Sequence, residues 1–124
     1  MTVAVNTITD YKNKAPSALS IGVETTLVDI TAQAGHYFIC GKIDMNALVS
    51  TAPDILIVKE YYGVDETNLR FYNAWTYTGA QTNPILAFLG KMCFANELAR
   101  ITIKQTAGTG RVIPYSFILQ VLNL

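Results

Sequence analysis

The chain has 124 residues, of which 15% are charged, and nine basic side chains balance nine acidic ones. That length suits one domain able to bury roughly two thirds of its unfolded surface. The basic residues are scattered from Lys12 to Arg111 without an aromatic-interleaved stripe, which argues against nucleic-acid binding, and no apolar run approaches the ~18 residues of a membrane-crossing helix.

The charged share is low against a typical ~25%, and the mean hydropathy is +0.29. More apolar surface is present than a lone small domain hides, so a subunit interface is expected to take it.

Taken in order, residues 1–16 read as an N-terminal arm or an edge strand, with a weak alternation at Val3, Val5 and Ile8 and a break at Ala15-Pro16-Ser17. The N-terminus lacks the basic-then-apolar pattern of a secretion signal, and none is expected. Residues 17–124 read as a single β-sandwich domain. Ala18–Ile21 is a candidate short strand, and Glu24–Thr31 is β-branched and threonine-rich, as strands are. Gly35–Asp44 alternates Tyr37 and Ile39 with Phe38 and Cys40, apolar on both faces. Asp44–Ser50 is the one place for a short helical turn.

Asp54–Tyr62 begins apolar and ends charged and aromatic, and Gly63–Asn68 is a loop. Leu69–Tyr77 is a long strand whose alternation sets Leu69, Phe71, Asn73, Trp75 and Tyr77 on one side. Gly79–Pro84 is a second loop, and Pro84–Phe94 is an apolar strand interrupted near Gly90. The last quarter, Glu97–Leu122, reads as a closing β-hairpin whose arms flank Ala107-Gly108-Thr109-Gly110. A phosphate loop at those glycines would need a helix after it, and Val112-Ile113-Pro114-Tyr115 is strand-like instead. About eight short strands result, in an all-β, antiparallel sandwich of jelly-roll type.

Catalytic chemistry finds little to stand on. His36 is the single histidine, and Cys40 and Cys93 lie far apart, so neither a nucleophile-base pair nor a four-ligand zinc set is spelled out. The two cysteines read as free buried thiols, with a disulfide left open. Asp65, Glu66 and Asn68 form the densest oxygen cluster but lack calcium-loop spacing, and read as a solvated turn. No cofactor and no metal is expected, and the chain reads as a non-enzyme.

The aromatic side chains are the more informative group. Tyr61, Tyr62, Phe71, Tyr72, Trp75 and Tyr77 fall in two consecutive strands. Half should face the core, which is the reading for Phe71 and Trp75. Tyr61, Tyr62, Tyr72, Trp75 and Tyr77 are the candidate interface residues, since amphipathic aromatic rings serve subunit contacts and also stack on sugar rings.

The segment Lys104–Phe117, KQTAGTGRVIPYSF, resembles the last hairpin of small all-β virion proteins of tailed phages and archaeal viruses. The resemblance covers residues 97–121. It implies a jelly-roll-like sandwich, a homo-oligomer (a trimer), and a role as a capsid decoration or other virion-surface protein bound to the major capsid protein or another virion protein. It places the chain in the virion, assembled in the host cytoplasm. A carbohydrate- or ligand-binding sandwich module is the alternative reading.

Overall fold

A computed structural model describes residues 7–31, 33–63 and 67–122, and at Thr7 and residues 89–91 the backbone alone. Eight strands follow one another: β1 Thr7–Asn13, β2 Glu24–Ile30, β3 Tyr37–Asp44, β4 Ile55–Gly63, β5 Leu69–Thr78, β6 Ile85–Cys93, β7 Ala99–Ala107 and β8 Tyr115–Val121. No helix occurs among the described residues, so none is long and apolar enough to cross a membrane.

The strands form two four-stranded sheets, ordered β1-β8-β3-β6 and β2-β7-β4-β5, with every pairing antiparallel. The first strand pairs with the last, the second with the seventh, the third with the sixth and the fourth with the fifth. That is a long hairpin rolled up on itself, the jelly-roll arrangement. The sandwich predicted from alternation is therefore present, with its strands close to their expected positions.

Three local expectations are corrected. The closing hairpin does not exist as one. β7 lies between β2 and β4 in one sheet, β8 lies between β1 and β3 in the other, and the glycine-bearing segment crosses between sheets. Its glycines serve close approach. Gly108 has φ +86° and a Cβ there would sit 2.0 Å from Asp54 Oδ1, while one on Gly110 would sit 2.0 Å from the Leu19 carbonyl. Ala18–Ile21 forms no strand; it is bridging backbone held by Leu19 N–H to Arg111 O. Asp44–Ser50 forms turns rather than a helical segment, because Asp44 Oδ1 accepts the Asn46 N–H and fixes the chain direction. The interruption near Gly90 is a β-bulge, where Ile39 and Gly41 pair with Lys91 and Phe88.

The core fills the space between the sheets. Tyr37, Ile39, Ile43, Phe117 and Leu119 from one sheet meet Leu27, Val28, Leu56, Val58, Ile101 and Ile103 from the other. Each such side chain contributes roughly 1.5–3 kcal/mol on leaving water. Gly41 is part of this packing: a Cβ there would meet the Phe117 ring and the Ser116 carbonyl, each at 2.4 Å.

One end of the sandwich is tied by a buried polar knot. Asp54 is inaccessible to solvent. Its Oδ2 accepts the Val49 N–H and Arg111 Nε, each at 2.8 Å, and its Oδ1 accepts the Thr109 N–H and Gln105 Nε2, each at 3.2 Å. Gln105, also buried, returns Oε1 to the Arg111 N–H at 2.9 Å. Burial pushes the Asp54 carboxyl upward, but the Val49 N–H, Arg111 and Thr109 outweigh it and hold the pKa below the usual range.

Candidate functional site

The surfaces that remain follow from the strand alternation. In β4, Leu56, Val58, Glu60 and Tyr62 alternate inward, and Ile57, Lys59 and Tyr61 outward. In β5, Trp75 and Tyr77 stand opposite Val58 and Leu56 and pack against the core, with Trp75 edge-on to Phe88 at 5.6 Å. The register then slips: Glu60 pairs with Asn73, but Tyr61 pairs with Phe71, leaving Tyr72 as the extra residue of a bulge.

That slip moves Phe71 to the outer face, where it is 60% exposed. The expected core role of Phe71 is thus wrong, because alternation does not survive a bulge. The five candidate interface residues divide accordingly. Tyr61 lies outward beside Phe71, with ring centroids 6.0 Å apart. Tyr62, Trp75 and Tyr77 pack against the core. Tyr72 is exposed at the bulge, edge-on to Tyr62 at 5.4 Å. Tyr62 donates its hydroxyl to the fully buried Glu60 carboxylate, and burial followed by that carboxylate raises the phenol's pKa.

Beside Tyr61 and Phe71 the outer face of β2-β7-β4-β5 carries a groove of about 580 Å³, lined also by Asp29, Leu69, Arg70 and Arg100. Arg100 grips Asp29 through two N–H groups at 3.1 and 3.4 Å. The Tyr61 hydroxyl is anchored on Glu24 at 3.0 and 3.2 Å, and Lys59 reaches the same carboxylate at 3.2 Å. Burial acts on Glu24 to raise its pKa, yet the Tyr61 and Lys59 contacts prevail and lower it.

The opposite outer face, on β1-β8-β3-β6, carries an apolar end beside the charged Asp10, Lys12 and Lys42. One register row crosses all four strands through Ile8, Gln120, Phe38 and Met92. Ile8 is 61% and Met92 53% exposed, with Phe38 half-buried between them. The next row carries the exposed Asp10 with Ile118 and Cys40, the last two half-buried. Past the end of β6, Phe94 is exposed and edge-on to His36 at 5.4 Å. Sequence reading looked for interface residues among four tyrosines and Trp75 and missed this row, although Ile8, Phe38 and Ile118 already stood opposite core positions in their alternations.

The remaining chemistry-bearing residues stay apart. His36 Nδ1 accepts the Ala95 N–H at 2.8 Å, a structural bond. Cys40 and Cys93 form no disulfide, one turned outward and one buried against Tyr37, on opposite faces of the same sheet. Among the described residues no three His, Cys, Asp or Glu side chains gather as a metal site requires. The Asp65–Glu66 cluster lies outside the described residues.

No family model matches this sequence, and no curated protein does. A solved structure described as that of infectious bursal disease virus, Gx strain, contains a chain of similar fold. The similarity covers 97% of the present chain at a TM-score of 0.56 and 15% identity, and spans 32% of that longer chain. At that identity the likeness is one of fold.

Proposed function

We propose that the chain is a virion structural protein, a capsid decoration or other virion-surface subunit working as a symmetric homo-oligomer, a trimer, within a virion assembled in the host cytoplasm. The observation that carries this reading is the row Ile8–Gln120–Phe38–Met92, apolar but for Gln120, which lies outside the core and leaves Ile8 and Met92 more than half exposed. With strands ~4.8 Å apart the row is about 14 Å wide. That suits the apolar centre of an interface, which at a standard size takes about 800 Å² from each partner.

The mechanism is adhesive rather than catalytic. Copies cover the apolar end of one another's sheet face, and loops reach the major capsid protein or another virion protein. The 79–84 loop, residues 1–16 and the 63–68 loop, whose residues 64–66 lie outside the described set, are the docking segments, since scaffolded folds place recognition in loops and termini. The fold shared with a chain in a virus structure supports this reading.

The test is native mass spectrometry across a concentration series. Three times 13.6 kDa is expected. A species of one chain at every concentration, with a melting temperature independent of concentration, overturns the reading.

A further inference from the structure

We propose that the groove at Tyr61 and Phe71 is a saccharide site, and that it selects sugars carrying a carboxylate. This goes beyond the assembly role and does not depend on it, because the groove lies on the sheet opposite the apolar row.

Three features converge. Phe71 offers an exposed ring, and Tyr61 is locked in place by Glu24 and meets it at a 73° interplanar angle. The apolar C–H face of a pyranose packs on such a ring without needing a polar partner. Arg100 and Asp29 form a planar donor-acceptor pair at the groove wall, with side chains 39% and 52% exposed. A guanidinium has five N–H donors and a carboxylate about four acceptor positions, so the two bonds between them leave donors and acceptors side by side. Vicinal hydroxyls, each both donor and acceptor, match that pattern.

Arg70 supplies the selectivity. It is exposed, lines the groove, and spends its N–H groups on the Leu69 carbonyl at 3.3 Å and Asn68 Oδ1 at 3.4 Å. Among the described residues no carboxylate lies within ion-pair distance of it. Arg70 pairs with the inward Tyr62, so it lines the groove from the β5 edge and not from the Phe71 face. A cation there, with Arg100 already neutralised by Asp29, favours an anionic sugar, and a guanidinium meets a carboxylate in bidentate fashion. The volume falls within the range of ~300–1,000 Å³ usual for small-ligand sites.

Binding is measured by calorimetry with sialyllactose, a glucuronic-acid oligosaccharide and lactose as probes, on the natural chain and on Phe71→Ala and Arg70→Ala. One of the acidic probes is expected to bind at least roughly tenfold more tightly than lactose, a difference of one decade in Kd. Each variant should lose a similar factor while keeping the native mass and melting temperature, since both side chains are exposed. No heat with any probe, equal affinity for lactose, or variants that bind as the natural chain does would each overturn the proposal. Because native mass is read on the same samples, a failure of assembly is distinguished from a failure of sugar binding.

Discussion

Arg111 Nε donates to Asp54 Oδ2 over 2.8 Å, and this bond ties the segment entering β4 to the crossing between β7 and β8. The carboxylate has no solvent access, while the Arg111 side chain is 29% exposed. Removing the cation strands a buried charge; neutralising the carboxylate leaves two backbone N–H groups with a poorer acceptor. Asp54→Asn and Arg111→Ala should each lower unfolding free energy by about 3 kcal/mol, the range found when one partner of a buried pair is lost. Urea midpoints at neutral pH check this.

The same carboxylate makes stability depend on pH. Its folded pKa is below the ordinary value, so the unfolded chain binds the proton more readily. The stabilisation is complete above the ordinary carboxylate range near ~3.9 and is lost as pH falls through the lower folded value. Asp54→Asn should flatten the stability curve below about pH 4. A variant as acid-sensitive as the natural chain would show that other carboxylates carry the acid transition.

A second buried contact makes the opposite use of a tyrosine. Tyr62 bonds Glu60, whose other oxygen has no partner among the described residues. Tyr62→Phe keeps the ring against Tyr72 but takes a donor from an enclosed carboxyl group. The expected cost is about 2 kcal/mol, the penalty of a stranded buried polar group. Replacing both residues, as in Glu60→Met with Tyr62→Phe, should recover much of that loss, because the polar requirement goes with them. Thermal or urea unfolding of the single and double variants gives the coupling.

Strand positions were legible because one face of each strand is buried, and burial imposes a period of two. The alternation of Ala99, Ile101 and Ile103 survives intact in the core. Pairing was not legible: two strands with a glycine turn between them look the same whether they pair or part into different sheets. Where β7 and β8 part, the crossing packs against distant chain, Asp54 against Gly108 and the Leu19 backbone against Gly110. The groove was hidden for a similar reason. Only the bulge at Tyr72 brings Phe71 to Tyr61, and a one-residue slip reverses every face beyond it.

Gly41 is a position where the sheet tolerates no side chain. A methyl there overlaps both the Phe117 ring and a β8 carbonyl, and neither is the free end of a flexible chain. Gly41→Ala should destabilise by about 2–3 kcal/mol through overpacking. Gly22→Ala is the contrast: it has open space around it and suffers only from its φ of +81°. Paired melting curves separate the two, with the larger loss at Gly41 and a cost of about 1 kcal/mol at Gly22.

The apolar row supplies the last prediction. Met92 and Ile8 are more than half exposed and pack against little within their own chain. A charge placed there costs the folded subunit almost nothing, as surface changes usually fall within about 0.5 kcal/mol. In an assembled protein the same charge is buried without a partner, and one unpaired charge at the centre of an interface weakens it by several kcal/mol. Met92→Glu should therefore shift the native mass from the oligomer to one chain, while circular dichroism stays that of an intact sandwich. Lys12→Glu, on the same sheet face but two rows away beside Asp10, should leave the oligomer nearly unchanged. If Met92→Glu assembles as the natural chain does, the face is not the contact, and the subunits meet elsewhere.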